Sequence, residues 1–126
     1  MAESKTGWAR TPDRSELQEI PAGRGARSQV LMGEADGTPH FAMRRFVMDA
    51  GGGMPLHTNE VEHEQYVLNG RARLRIGDET VEVRAGDVVF IPARVPHDYR
   101  VLEGPFEFLC MVPNLPDEIK LLEEMS

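Results

Sequence analysis

The sequence is poor in cysteine, aromatic residues and basic charge, and each scarcity excludes a class of protein. Cys110 is the single cysteine, so the chain forms no internal disulfide, which is typical of a reducing compartment. The 14 Lys and Arg residues against 21 Asp and Glu leave a net charge of -7, which argues against a nucleic-acid-binding protein. No apolar run approaches the roughly 18 residues of a membrane span. We therefore expect a cytoplasmic protein without a nucleic-acid or membrane partner.

What the 126 residues do contain is the pattern of one all-β domain. Residues 1–26 are polar and interrupted by proline and glycine, which predicts an N-terminal arm with little regular structure. Residues 27–113 carry short runs rich in Val, Ile, Phe and Tyr between turn-forming residues, which predicts a small sandwich or barrel. In residues 114–126, the acidic start and the spacing of Ile119 and Leu122 predict a short C-terminal helix or tail.

Two turns and one strand can be assigned from local patterns. Asn69-Gly70 lies between two apolar runs and predicts a hairpin, and Gly77-Asp78-Glu79 predicts a second one. In residues 71–76, arginine alternates with apolar side chains, which indicates a half-buried strand. The arginine face is expected to meet water, and binding of an anionic ligand is the alternative.

Three of the four histidines stand in segments whose glycines and prolines predict turns and strand ends. His57 follows the glycine-rich residues 51–56, and His63 opens a strand six residues later. His97 follows residues 86–96, which indicate a turn, a buried strand and a proline stop. Neutral imidazole is the commonest side-chain metal donor, so histidines on neighbouring strands indicate one shared metal site.

The parity of residue numbers supports this grouping. If residues 57–67 are extended, the odd-numbered side chains share one face and the even-numbered glutamates share the other. His40 follows Thr38-Pro39 and is expected in a loop, away from the site. The face predicted to carry the metal ligands consists of His57, Asn59, His63, Gln65 and Val67.

The first histidine segment resembles the first motif of the cupin superfamily. That motif is Gly, five residues, His-x-His, three or four residues, Glu, six residues and Gly. Every spacing is met here, although Asn59 replaces the second histidine and His63 replaces the glutamate. The matching positions are Gly51, His57, Asn59, His63 and Gly70.

The third histidine lies in a segment that resembles the second cupin motif. That motif is Gly, five residues, Pro-x-Gly, two residues, His, three residues and Asn. Gly86, Pro92 and His97 stand at the matching positions. Arg94 and Val101 replace the second glycine and the asparagine.

Residues 57–70 and 107–110 also resemble the small single-domain cupins that bind manganese through four histidines. The resemblance covers residues 27–113 and implies an all-β fold, a double-stranded β-helix (jelly-roll) barrel, here with a short C-terminal helix. Cupins of this size commonly pair through the N-terminal arm and first strand, which covers an exposed sheet edge. The resemblance therefore implies a homodimer.

By the same likeness, His57, His63 and His97 bind one metal ion. Asn59 is either a weak fourth ligand, through its amide oxygen, or a hydrogen-bond partner of a ligand. An alternative alignment assigns the glutamate position to Glu64. That shift of one residue places the side chain on the opposite face of the strand.

Three neutral imidazoles leave a bound ion its full double positive charge and open coordination positions. We expect Mn(II) or Fe(II), while Zn(II), Ni(II) and Cu(II) also suit imidazole. The function hypothesis is a metal-dependent oxidoreductase of the dioxygenase type that acts on a small anionic or enolisable substrate. The alternatives are a metal-dependent isomerase, lyase or decarboxylase, and a non-enzymatic protein that binds a small molecule such as a sugar.

Side chains near the metal follow from strand parity. Gln65 and Tyr99 are the candidate catalytic residues, Tyr99 as a hydrogen-bond donor or acid, with packing in the core as its alternative role. In the strand of residues 41–48 one arginine, Arg44 or Arg45, faces inward and is able to bind a carboxylate. Cys110 is expected to be a buried, unreactive thiol.

Overall fold

The structure, a computed structural model, describes residues 6–122 and consists almost entirely of strands. Two one-turn 3-10 helices, Arg14–Glu16 and Glu34–Asp36, are the helical residues of that part of the chain. The predicted all-β class is confirmed. The strands are β1 (Gln18–Glu19), β2 (Arg24–Met32), β3 (Phe41–Thr58), β4 (His63–Ile76), β5 (Glu79–Arg84), β6 (Val88–Ile91), β7 (His97–Pro113) and β8 (Lys120–Leu121).

All strand pairs are antiparallel, and the long strands β3, β4 and β7 lie at the centre. The main order is β1-β2-β3-β7-β4-β5, with β6 beside β4 and β8 beside β3. Along one edge the two halves of β4 use different partners, since residues 63–66 pair with β6 and residues 71–76 pair with β5, while β7 pairs with both halves along the other edge. This exchange of partners folds the sheet around one core.

The core follows the alternation of the strands. Ala72 and Leu74 have no exposed surface, while the neighbouring Arg73 is exposed, so the predicted half-buried strand is confirmed. The ring of Phe108 stacks on Phe46 at 5.0 Å and on Tyr99 at 5.4 Å between centroids. These aromatic contacts form the inner wall beside the histidines.

The hairpin predicted at Asn69-Gly70 is wrong, whereas the one at Gly77-Asp78 is confirmed. β4 continues through Asn69-Gly70 because β7 pairs with it on both sides of that dipeptide. The register shifts between residues 67 and 72 absorb the extra residues as bulges. Gly70 has a φ of 83°, and a Cβ there would lie 2.5 Å from the carbonyl oxygen of Pro105. The Asn-Gly pair therefore bends a strand instead of reversing it.

The predicted C-terminal helix is absent from residues 114–122, the part of it that the structure describes. Lys120 and Leu121 instead pair with Thr58 and His57. Ile119, one of the two residues of the predicted helix face, remains about half exposed, so apolar packing does not hold this segment in a helix. A helix this short is marginal without such packing. Residues 123–126 lie outside the described part.

The predicted N-terminal arm carries the first 3-10 helix and β1, and β2 begins at Arg24, before the predicted boundary. The Arg14 guanidinium binds the Glu107 carboxylate, and the Gln29 side chain donates to the Asp13 carbonyl, so the arm is attached to the sheet. Residues 1–5 of the arm lie outside the described residues. From residue 6 to residue 122 there is no helix of the length and apolarity that a membrane crossing requires.

Candidate functional site

The three predicted histidine ligands come together inside the barrel. His57 lies near the end of β3, while His63 and His97 open β4 and β7. The ring centroids of His57 and His97 are 4.2 Å apart, and those of His63 and His97 are 5.7 Å apart. His57 and His97 are direct cross-strand partners. All three side chains are buried, with at most 5% of their surface exposed.

Hydrogen bonds fix the orientation of two of the rings. The Nδ1 atom of His57 lies 2.7 Å from the Pro55 carbonyl oxygen, and that of His97 lies 2.9 Å from the Val95 carbonyl oxygen. A carbonyl oxygen only accepts, so each Nδ1 carries the proton and donates it. Each Nε2 then carries the free lone pair that a metal ion requires.

Burial holds the imidazoles in their neutral form. Desolvation and, to a smaller extent, the nearby Arg44 charge lower the pKa of His63 to about 3. Desolvation also lowers the pKa of His97 to about 4, with a smaller contribution from His57. The pKa of His57 is lowered by burial as well. The three rings are therefore neutral near pH 7, which is the state that binds metals.

Asn59 lies beside this cluster and is 5% exposed. Its Nδ2 atom donates to the Asp117 carboxylate over 3.2 Å, while its Oδ1 atom is buried without a partner. Asp117 is a site residue that the sequence analysis missed. The two residues are 58 positions apart, and Asp117 lies in the segment predicted as a helix, so no local pattern indicated the contact.

The predicted pair Gln65 and Tyr99 is joined by a hydrogen bond. Gln65 Nε2 donates to the Tyr99 hydroxyl oxygen over 2.6 Å. Burial raises the pKa of Tyr99, so the phenol keeps its proton. The Tyr99 ring lies edge-on to His97, with centroids 6.0 Å apart. The hydroxyl therefore accepts from Gln65 and retains an O–H that it can donate.

Strand parity did not decide whether Arg44 or Arg45 faces inward, and in the structure it is Arg44. Its NH2 nitrogen lies 3.3 Å from the Cys110 Sγ atom and 3.5 Å from His63 Nδ1. Arg45 faces the other side and reaches Glu107. Cys110 has no exposed surface, and burial raises the pKa of its thiol, so an unreactive thiol is the form present.

Two further candidates lie away from the cluster. His40 is exposed in a bend, as expected of a loop residue. Glu64 pairs with Phe90 and Met111 on neighbouring strands and lies between the buried His63 and Gln65 in the alternation of β4. Burial and the adjacent Glu62 raise the pKa of the Glu64 carboxyl to about 7. The alternation of β4 places the Glu64 side chain on the face opposite to the imidazoles.

The atoms without partners suit a metal ion. Asn59 Oδ1, His63 Nε2 and His97 Nε2 are buried polar atoms that meet no hydrogen-bond partner, and Arg44 Nε and Arg45 Nε are two more. Leaving such an atom unsatisfied costs about 1–3 kcal/mol. A cation bound by all three side chains would satisfy the Asn59 oxygen and the two ring nitrogens, provided that each ring carries its proton on Nδ1. Imidazole nitrogens with one amide oxygen suit Mn(II), Fe(II) or Zn(II). Within residues 6–122, no three His, Cys, Asp or Glu side chains stand at ligand spacing.

An open cleft of about 530 Å³ lies beside the histidine cluster. It is lined by residues 22–24, by residues 51–56 of β3, by residues 98–100 of β7 and by Leu122. Tyr99 is the candidate catalytic residue that borders it. The cleft thus adjoins the strands that carry His57 and His97 without including either ring.

Comparison with known proteins identifies the family. The model of the Cupin_2 family, described as a cupin domain, matches residues 44–112. An uncharacterised protein of Streptomyces coelicolor, SCO3923, is 33% identical over 95 residues, which are 75% of this chain and 90% of that protein. An uncharacterised protein of Methanocaldococcus jannaschii, MJ1618, is 30% identical over 81 residues, which are 61% of this chain. The match spans 65% of MJ1618, just under two thirds of its length.

The fold is also found in solved structures. The polyketide cyclase RemF from Streptomyces resistomycificus superposes with a TM-score of 0.78 at 27% identity. The superposition covers 94% of this chain and 89% of RemF. The superfamily and the barrel predicted from the two histidine motifs are confirmed. The chain belongs to the Cupin_2 family of cupin domains.

Proposed function

We propose that the chain is a metal-dependent enzyme with one divalent ion in the barrel. The ion would be held by His57, His63, His97 and Asn59. The observation that carries this proposal is the group of buried polar atoms without partners, one on Asn59 and two on imidazoles. The neutral state of the rings supports it, because protonated imidazole does not bind metals.

The reaction we propose is proton-transfer chemistry on a small enolisable carbonyl compound. A divalent ion with neutral ligands supplies Lewis-acid polarisation of a substrate oxygen. Tyr99 holds a proton on a hydroxyl that Gln65 orients, and it would donate a hydrogen bond to the substrate oxygen, where negative charge develops, while keeping that proton. The buried surroundings exclude water and strengthen these contacts. Isomerase, lyase and cyclase reactions use such steps, and the likeness to a polyketide cyclase supports this class.

Replacing Tyr99 with phenylalanine tests this hydrogen-bond donor. We expect turnover to fall about 10²–10³-fold, which is the usual cost of losing one hydrogen-bond donor to developing negative charge. Metal content should stay unchanged, because the hydroxyl is not among the proposed ligands. Turnover of keto acids, diketones, phenols and uronates and elemental analysis measure the two quantities. Tyr66 is 43% exposed, so Tyr66→Phe is the matched control and should leave both unchanged.

Dependence on dioxygen separates this proposal from the dioxygenase hypothesis. We expect turnover of the same compounds to continue at the same rate under anaerobic conditions, because proton transfer consumes no oxidant. An oxygen electrode measures any uptake. Oxygen consumption in proportion to product would support the dioxygenase, and metal binding without turnover of any compound would support a non-enzymatic binding protein. The identity of the ion as Mn(II) or Fe(II) stays a prediction, which elemental analysis tests. The homodimer also stays a prediction, which light scattering tests.

A further inference from the structure

Asp117 connects the C-terminal segment to the candidate metal site. Its carboxylate accepts from the Asn59 amide over 3.2 Å, from the Glu60 backbone N–H over 2.6 Å and from the Glu118 backbone N–H over 2.8 Å. The match to the Cupin_2 family ends at residue 112, so Asp117 lies outside the matched domain. This contact is therefore a feature of the present chain that the family match does not describe.

The chemistry of the contact determines how the Asn59 amide is turned. An ionised carboxylate only accepts hydrogen bonds, so the NH2 group of the amide must face Asp117. The amide oxygen then points away from Asp117. That oxygen is buried and has no donor. Without the carboxylate the amide is free to turn over and present its NH2 group, which cannot bind a cation.

The segment around Asp117 is fixed to the strand that carries the ligands. Leu121 and Lys120 pair with His57 and Thr58 at the end of β3. The Leu122 N–H donates to the Leu56 carbonyl oxygen over 3.0 Å. The negative charge of Asp117 also acts on His57, His63 and His97, where it opposes the lowering of each pKa by burial. Asp117 is therefore held close to the whole cluster.

We propose that Asp117 is a positioning residue for the metal: it holds the Asn59 amide so that Oδ1 faces the ion as the fourth ligand. The inference rests on the proposed function, because it requires an ion in the barrel. Asn59 replaces a motif histidine. By this inference it is a ligand whose orientation depends on the C-terminal segment. An imidazole has no equivalent ambiguity between an oxygen and an NH2 group.

The test is a double-mutant cycle measured on Mn(II) affinity. Asp117→Asn is expected to weaken Mn(II) binding about 10–100-fold, which is typical when the partner of a metal ligand is lost. Glu118→Gln makes the same charge change at the next, exposed residue and should stay within about two-fold of wild type. Asn59→Ala should weaken binding at least as much as Asp117→Asn. The double variant should bind no more weakly than Asn59→Ala, because Asp117 then has nothing to orient.

The absorption spectrum of the Co(II)-loaded protein gives a second readout. Asn59→Ala and Asp117→Asn should change it in the same way, since both remove the amide oxygen from the ion. A circular dichroism spectrum shows that each variant is folded, and Asp117→Ala repeats the measurement with a side chain that makes no hydrogen bond.

Three results would contradict the inference. Wild-type affinity in Asp117→Asn and Asp117→Ala would overturn the inference alone and leave the proposed function standing. Additive losses in the double variant would assign Asp117 a role that does not pass through Asn59. Absence of Mn(II) and Co(II) binding by the wild-type chain would overturn the proposed function and the inference together.

Discussion

Replacing His63 with leucine should abolish the stabilisation that a bound metal provides. Without metal, the free energy of unfolding of the variant should lie no more than about 1 kcal/mol below that of wild type. The Nε2 atom of His63 is buried without a partner, and an apolar side chain removes that cost, which is about 1–3 kcal/mol. The contact between His63 Nδ1 and Cys110 is lost, but Arg44 and Gln65 still approach the thiol. In the metal-free protein, the relief of the unsatisfied Nε2 atom stabilises the fold and the loss of the contact with Cys110 destabilises it.

The larger effect is the response to metal. A ligand that binds only the folded state adds about 4 kcal/mol when its concentration is 1,000 times Kd. For a chain of this size that corresponds to a rise in Tm of about 10–20 °C. His63→Leu should lose nearly all of this rise, because one of the proposed ligands is gone. Thermal unfolding with Mn(II) and with a chelator measures the difference.

His40→Leu is the matched control for this experiment. His40 is exposed in a bend, so the variant should keep the full rise in Tm with Mn(II). An unchanged rise in His63→Leu would show that His63 is not a ligand. Because Glu64 lies on the opposite face of β4, such a result would also require a different account of how the site is built.

Local patterns in the sequence predicted those features that depend on neighbouring residues. Alternation identified the buried face of residues 71–76, and the spacing of glycines, prolines and histidines identified the family. Both follow from the two-residue period of a strand and from turn chemistry. The same parity argument turned Gln65 and Tyr99 towards the interior, and the structure joins them by a hydrogen bond that parity did not predict.

Features that depend on distant segments were outside the reach of these patterns. Asn69-Gly70 is a strong hairpin signal, yet pairing with β7 on both sides keeps β4 continuous. Parity alone did not distinguish Arg44 from Arg45, because the choice depends on which residue lies opposite Cys110 in β7. The contact of Asp117 with Asn59 depends on the path of the C-terminal segment, which carries no motif. Each of these errors and omissions concerns register or long-range contact.

Replacing Gly53 with alanine should unfold the protein or destabilise it by more than about 4 kcal/mol, a range reserved for severe steric or core defects. A Cβ at this position would lie 1.9 Å from the carbonyl oxygen of Tyr99 and 2.8 Å from its carbonyl carbon. Both are backbone atoms, so no side-chain rotation relieves the clash. The φ of Gly53 is 152°, which adds strain for any other residue. Urea unfolding and soluble yield measure the loss.

Gly51→Ala is the matched control, because Gly51 stands at the first glycine position of the first cupin motif. Gly51 also has a positive φ, 77°, but a Cβ there meets nothing within 4 Å. Its cost should therefore be limited to the conformational preference, about 1–2 kcal/mol. Equal losses in the two variants would show that backbone conformation, and not the approach of β7, determines the need for glycine.

The same clash connects the fold to the candidate site. Gly53 pairs with Arg100, and the next pair along the strands is Met54 with Tyr99. If β3 and β7 separate at Gly53, Tyr99 moves and the cross-strand pair of His57 and His97 is disturbed with it. A folded remnant of Gly53→Ala should therefore bind Mn(II) more weakly than Gly51→Ala at equal folded fraction. Equal affinity would mean that the histidine cluster is held by the opposite end of the strands, independently of this close approach.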